Sequence, residues 1–182
     1  MTAATGTLAV GSAPALRSLY FVRFGFAVVW AGLVALTASD LGVAAAVLLV
    51  VYPLFDVGAA VVDARSSRSR ELVLNIVISS LAALGLVFAA TSGSIPATLR
   101  VWGAWAILSG IVQLVVALKR RKLGGQWAMI LSGGISTLAG ASFIVMASQD
   151  GASLTSLAGY AAIGGVFFLV SAIRLGQAAR TA

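Results

Sequence analysis

The sequence predicts an all-α polytopic membrane protein. It reads as a bundle of six transmembrane helices, built as three tandem helical hairpins, with both termini cytoplasmic. Three observations carry this. Sixty per cent of the 182 residues are hydrophobic and 9% are charged, whereas soluble domains average about 45–50% and about 25%. Six separate runs reach the roughly 20 apolar residues that a spanning helix needs. The connections between the runs alternate between basic and acidic or uncharged. Only helices and closed barrels satisfy their backbone polar groups in lipid, and apolar runs of this length are helices.

Residues 1–16 are small and uncharged, with Pro14 near their end. They lack the basic start of a signal peptide and are expected to form a flexible tail. A single domain should follow over 17–180. The spans are expected at about 18–38, 41–62, 72–91, 98–118, 127–148 and 155–176. Ser39-Asp40 is a tight turn, and the segment from Arg65 to Arg70 divides spans two and three. Thr91-Ser-Gly-Ser-Ile-Pro96, then Lys119 to Lys122 with Gly124-Gly125, then Gln149-Asp150-Gly151 divide the rest.

Orientation follows from the cations. Arg17, Arg65, Arg68, Arg70, Lys119, Arg120, Arg121, Lys122 and Arg180 fall at one end, and Arg100 with Asp40 and Asp150 at the other. Basic loops stay in the cytoplasm. The loop cations Arg65, Arg68, Arg70, Lys119, Arg120, Arg121 and Lys122 are expected to face lipid and meet anionic headgroups. The net charge of +7 then reflects topology, and no nucleic-acid partner is expected. Tyr20, Trp102 and Trp127 stand near span ends, where aromatic belts form.

Histidine and cysteine are both absent. That excludes Ser-His-Asp and Cys-His nucleophile systems, metal sites of His or Cys and disulfides. The five carboxylates, Asp40, Asp56, Asp63, Glu71 and Asp150, show no metal-binding spacing. No enzyme activity, cofactor or metal is expected.

The first helices of the hairpins align without gaps. The segments starting at Arg23, Asn75 and Ser132 correspond, and the second helices match when Asp56 meets Gly110 and Ser171. This parallel repeat suggests a pseudo-threefold bundle. It places Arg23, Asn75, Asp56, Gln113 and Arg174 at one depth, roughly 7–14 Å from the cytoplasmic edge at 1.5 Å per residue. A charge within a span costs about 2.5–3.5 kcal/mol on insertion scales, so it should face inward and find a partner. Arg23 and Asp56 are expected to pair, with Asn75 and Gln113 as hydrogen-bond partners and Arg174 in the same intramembrane polar layer. The layer is either a structural clamp or a site for a proton, anion or headgroup. Pro53 frees the carbonyl of residue 49 and should kink helix two. Ser132, Ser136 and Gly140, with Gly133-Gly134 and Gly164-Gly165, form small faces for close helix packing.

The stretch Trp105-Ala-Ile-Leu-Ser-Gly-Ile-Val-Gln-Leu-Val-Val-Ala-Leu-Lys119, followed by a basic loop and Trp127-Ala-Met-Ile-Leu-Ser-Gly-Gly-Ile-Ser-Thr-Leu-Ala-Gly140, resembles the HdeD-like family. These are small six-span bacterial inner-membrane proteins, and the similarity covers residues 17–176. The chain departs from the family at Ser79, Ser80 and Ala83, where glycines are usual, and at Gln149-Asp150, where a proline is usual. The resemblance implies a bacterial cytoplasmic membrane and a role in acid or envelope stress tolerance, with no catalytic residues to carry over. The expected protein is therefore a non-enzymatic, stress-linked accessory subunit of a membrane complex. Its expected partners are membrane lipids and either another membrane protein or a second copy. The alternative is a transporter or channel for a small solute, proton or lipid, using the Arg23–Asp56 layer.

Overall fold

A computed structural model describes residues 4–181. They form six long helices: α1 (Ala4–Thr37), α2 (Val43–Ser67), α3 (Arg70–Thr91), α4 (Ile95–Lys119), α5 (Gln126–Met146) and α6 (Ser156–Thr181). Each contains a stretch long and apolar enough to cross a membrane. Large hydrophobic side chains such as Leu36, Val43, Leu81, Phe88 and Leu138 are exposed on the outside of the bundle, where a bilayer would cover them.

Helix α1 starts earlier than the sequence suggests. The expected tail is helical from Ala4, and Pro14 lies inside the helix. Ala and Leu residues on both sides of Pro14 favour helix, and the proline is accommodated within the helix. Residues 1–3 of that tail lie outside the described part.

The connections are short. Arg68 closes α2 in the left-handed conformation (φ 52°) and donates its backbone N–H to Ala64 at 2.8 Å. Only Arg68 and Ser69 separate α2 from α3. Ser94 caps α4 by accepting from the Ala97 N–H at 3.2 Å, with Pro96 in the first turn. A 3₁₀ turn at Arg121–Leu123 leads to Gly124 and Gly125, both at positive φ. A side chain at Gly125 would also strike Ser171 and Leu175 of α6, as its Cβ would lie 2.9 Å from the Ser171 carbonyl oxygen.

The helices form a closed ring in chain order, with α6 packed on α1. The pairs α4–α5, α1–α6 and α2–α3 pack most closely, whereas α1–α2 and α5–α6 touch over much less of their lengths. Glycines explain the tightest pair. Gly103 faces Gly140 and Gly110 faces Gly133, so closely that an added Cβ would lie 2.5–2.8 Å from the opposite carbonyl oxygen. Both glycine pairs repeat at seven-residue spacing, which returns to one helix face. A Cβ added at Gly134 or Gly164, grouped with them from the sequence, would meet no atom within 4 Å. The close face of α5 is therefore the one bearing Gly133 and Gly140.

The core has two main parts. The larger, around Trp30, Val34, Leu49, Leu86, Leu99 and Trp102, closes the ring at the end away from the basic loops. The smaller, around Leu16, Tyr20, Met129, Ala172 and Leu175, lies at the basic end. Tyr20 and Trp102 are thus core residues and do not form an aromatic belt. Trp102 is fully buried and stacks on Trp30 at 5.3 Å between ring centroids. Trp127 alone of the three is exposed, at 49%.

Candidate functional site: an ion-paired chamber inside the ring

Between the two core regions lies a cavity of about 300 Å³, lined by all six helices. Its polar centre is Asp56 on α2, which is 5% exposed. One carboxylate oxygen is ion-paired with Arg23 of α1. The other accepts from Asn75 Nδ2 at 2.7 Å and Ser79 Oγ at 2.8 Å, both on α3. Ser79 in turn accepts from the Trp105 indole of α4 at 2.9 Å. Three helices therefore meet at a single carboxylate, and Ser79 ties in a fourth through Trp105. A buried charge is tolerated only when it is paired and its remaining lone pairs are used, and Asp56 meets both conditions. The Arg23 guanidinium also lies 4.6 Å from the Phe168 ring centroid on α6, a cation–π arrangement.

Arg23, Asn75 and Ser132, equated by the repeat, all line this chamber. The repeat also explains why Asp56 and Gly110 have similar surroundings. Asp56 faces Ser79 across α2–α3, and Gly110 faces Ser136, the counterpart of Ser79, across α4–α5. The equivalent position carries a carboxylate in one pair and a close backbone approach in the other.

Two expected members of the layer behave differently. Gln113 lines the chamber, but its amide donates to the Met129 carbonyl at 3.2 Å and not to Asp56. Arg174 is exposed on the outside of α6, 5.1 Å from the Trp127 ring centroid. Its neighbour Ser171 takes the inward position and donates to the Gly125 carbonyl at 2.6 Å. A long Arg near a helix end lays its stem along apolar surface and keeps its head outside, so depth alone did not place Arg174 in the layer.

A second ion pair lies at the basic end of the chamber. Arg120 donates two hydrogen bonds, both 2.7 Å, to the two oxygens of Asp63. Both side chains are nearly buried, and both residues line the cavity. Arg120 is therefore not a lipid-facing loop cation. Its planar fork matches a carboxylate in bidentate fashion, which draws it inward from the turn after α4. Burial works against the Arg120 charge, but the bonds and charge of Asp63, with help from Tyr20, outweigh it and hold its pKa above the ordinary value. The remaining loop cations, Arg65, Arg68, Arg70, Lys119, Arg121 and Lys122, are exposed. Lys119 pairs with Glu71 at the surface, where solvent screening leaves such pairs little weight.

Asp56 and Asp63 are seven residues apart on α2, so the two ion pairs form two polar levels roughly 10 Å apart at 1.5 Å per residue. Aromatic residues complete the walls. Tyr52 packs edge-on against Trp105 at 5.7 Å, and Tyr160 shares a 2.6 Å hydrogen bond with Ser136. No group of three carboxylates that could hold a metal occurs among the described residues. The chamber can offer hydrogen bonds and aromatic contact, and it opposes uncompensated charge. No family model matches the chain, and no curated protein or solved structure matches it either.

Proposed function

We propose that the protein is a non-enzymatic multi-pass membrane protein that binds a small solute inside its helix ring and passes it through the bundle. The Arg23–Asp56 level is the barrier that the solute must cross. The supporting observation is the chamber itself, a cavity of about 300 Å³ with an ion pair at its polar centre. Small-molecule sites begin at about this size and combine apolar walls with a few convergent polar groups. The setting is the bacterial cytoplasmic membrane, with the basic end inside. Stopped-flow swelling of proteoliposomes in glycerol tests the reading. Swelling faster than in protein-free liposomes, and changed in rate by Asp56→Asn in a folded protein, is expected. Swelling equal to that of protein-free liposomes overturns it.

The second reading is a stress-tolerance accessory subunit of HdeD-like type. It is favoured by the short connections, which leave little surface outside the bilayer for partners. Partners would then meet the exposed helix faces side-on. Extraction in mild detergent tests this reading, and a particle of one chain without partners counts against it.

A further inference from the structure

The chamber does not end at the ring. Ile135 of α5 and Ile163 of α6 both line it, yet both are largely exposed on the outer surface, at 42% and 53%. They flank α5–α6, one of the two least tightly packed seams of the ring. Gly164, also in the lining, has no atom within 4 Å of where a Cβ would stand. A seam rimmed by aliphatic side chains, with an empty glycine position beside it, borders the chamber on this side, below the Ser136–Tyr160 hydrogen bond that joins the two helices.

The interior defines what could enter by that seam. Both carboxylates of the chamber are already paired with guanidinium groups. Asp56 also takes two neutral hydrogen bonds. A ligand carrying a full charge would find no free counter-charge, and leaving lipid for such a site is costly. Among the described residues two buried side-chain polar atoms lack a partner, the Trp102 indole nitrogen and the Ser156 hydroxyl, and of these Ser156 belongs to a residue lining the chamber. Ser156, Tyr160, Ile163, Gly164 and Phe167 follow one face of α6 at helical spacing. That face runs from an unmet hydroxyl to the aliphatic rim of the α5–α6 seam. The volume equals about ten waters at ~30 Å³ each, too little for a two-chain lipid.

We propose that the chamber takes a small uncharged amphiphile, an apolar body with one hydroxyl or carbonyl head, that arrives from the bilayer between α5 and α6. The proposal rests on the reading of the chamber as a solute site and adds ligand class and route. The test uses photoreactive diazirine-hexanol, with diazirine-hexanoate and diazirine-hexylamine as charged counterparts. Each is equilibrated with the protein in phosphatidylcholine nanodiscs and activated by light, and attachment sites are mapped by mass spectrometry. The alcohol should attach at Tyr160 and Phe167, and each charged probe at least about tenfold less. Gly164→Leu, which fills the seam, should abolish attachment. Ile163→Ala, which widens it, should increase attachment, so the route stays testable if either variant fails to fold. Equal attachment of the charged probes overturns the ligand class. Attachment indifferent to both variants overturns the route, and no attachment inside the chamber overturns both. Attachment needs no transport. Its persistence without glycerol flux would remove the transport reading alone, whereas flux without chamber attachment would remove this one alone.

Discussion

Asp56 joins three helices through one carboxylate, and a fourth through Ser79, which makes it costly to disturb from one side only. Removing one partner of a buried ion pair leaves the other uncompensated and costs about 3–5 kcal/mol, whereas apolar replacement of both is often near neutral. Asp56→Leu or Arg23→Leu alone should lower the unfolding temperature sharply, and the double variant should recover most of the loss. A double variant as unstable as the sum of the singles would show that the pair is not coupled. Arg120 offers a parallel case. Arg120→Lys keeps the charge but loses the two-bond fork to Asp63. It should destabilise the protein, whereas Arg121→Lys, at an exposed position, should not. The first pair was legible in the sequence because a charge inside a span must find a partner. The second was not, because a cation in a basic loop reads the same whether it turns outward or inward. Arg174 reads as a span charge by position alone, yet its head lies beside Trp127 at the surface.

At the scale of helices, the α4–α5 pair depends on missing side chains. A methyl group at Gly103 would lie 2.6 Å from the Gly140 carbonyl oxygen, a clash that requires the helices to separate. Gly103→Ala should destabilise the bundle by about 1–3 kcal/mol, the usual cost of overpacking. Gly134→Ala, with no atom within 4 Å of the added group, should be neutral or stabilising, since Ala favours helix by up to about 1 kcal/mol. Thermal unfolding of both variants in one detergent checks the contrast. The number and order of helices were readable from apolar length, and the repeat alignment matched positions that share surroundings in α2–α3 and α4–α5. Which glycines make the close face was not readable, because Gly133 and Gly134 are adjacent in sequence but 100° apart around the helix. The early start of α1 was also hidden. Its residues resemble a polar-leaning tail, and a single proline is a weaker stop than it looks.

For the whole molecule, the ring divides into a tightly packed α1–α6 pair and a continuous α2–α5 block. The chamber lies between them, and the ties across the two loose seams include Arg23–Asp56 and the Ser136–Tyr160 hydrogen bond. The basic connections lie together, since the α2 and α4 ends are joined by Asp63–Arg120 and the start of α3 by Glu71–Lys119. With no native cysteine, single cysteines report orientation cleanly. A cysteine at Ser153 should react with an impermeant maleimide on intact cells, and one at Ser67 only after the cytoplasmic face is opened. The reverse pattern would invert the topology.

The central claim is that the ring holds a working chamber around an ion-paired level, where a plain helical bundle would have a filled core. An experimental structure of the protein in lipid nanodiscs tests this most directly. The account predicts an open space of about 300 Å³ containing ordered density for a small solute, bordered by an intact Arg23–Asp56 pair. A ring collapsed so that Tyr160, Phe167 and Phe168 fill that space, with no density between the helices, would contradict it.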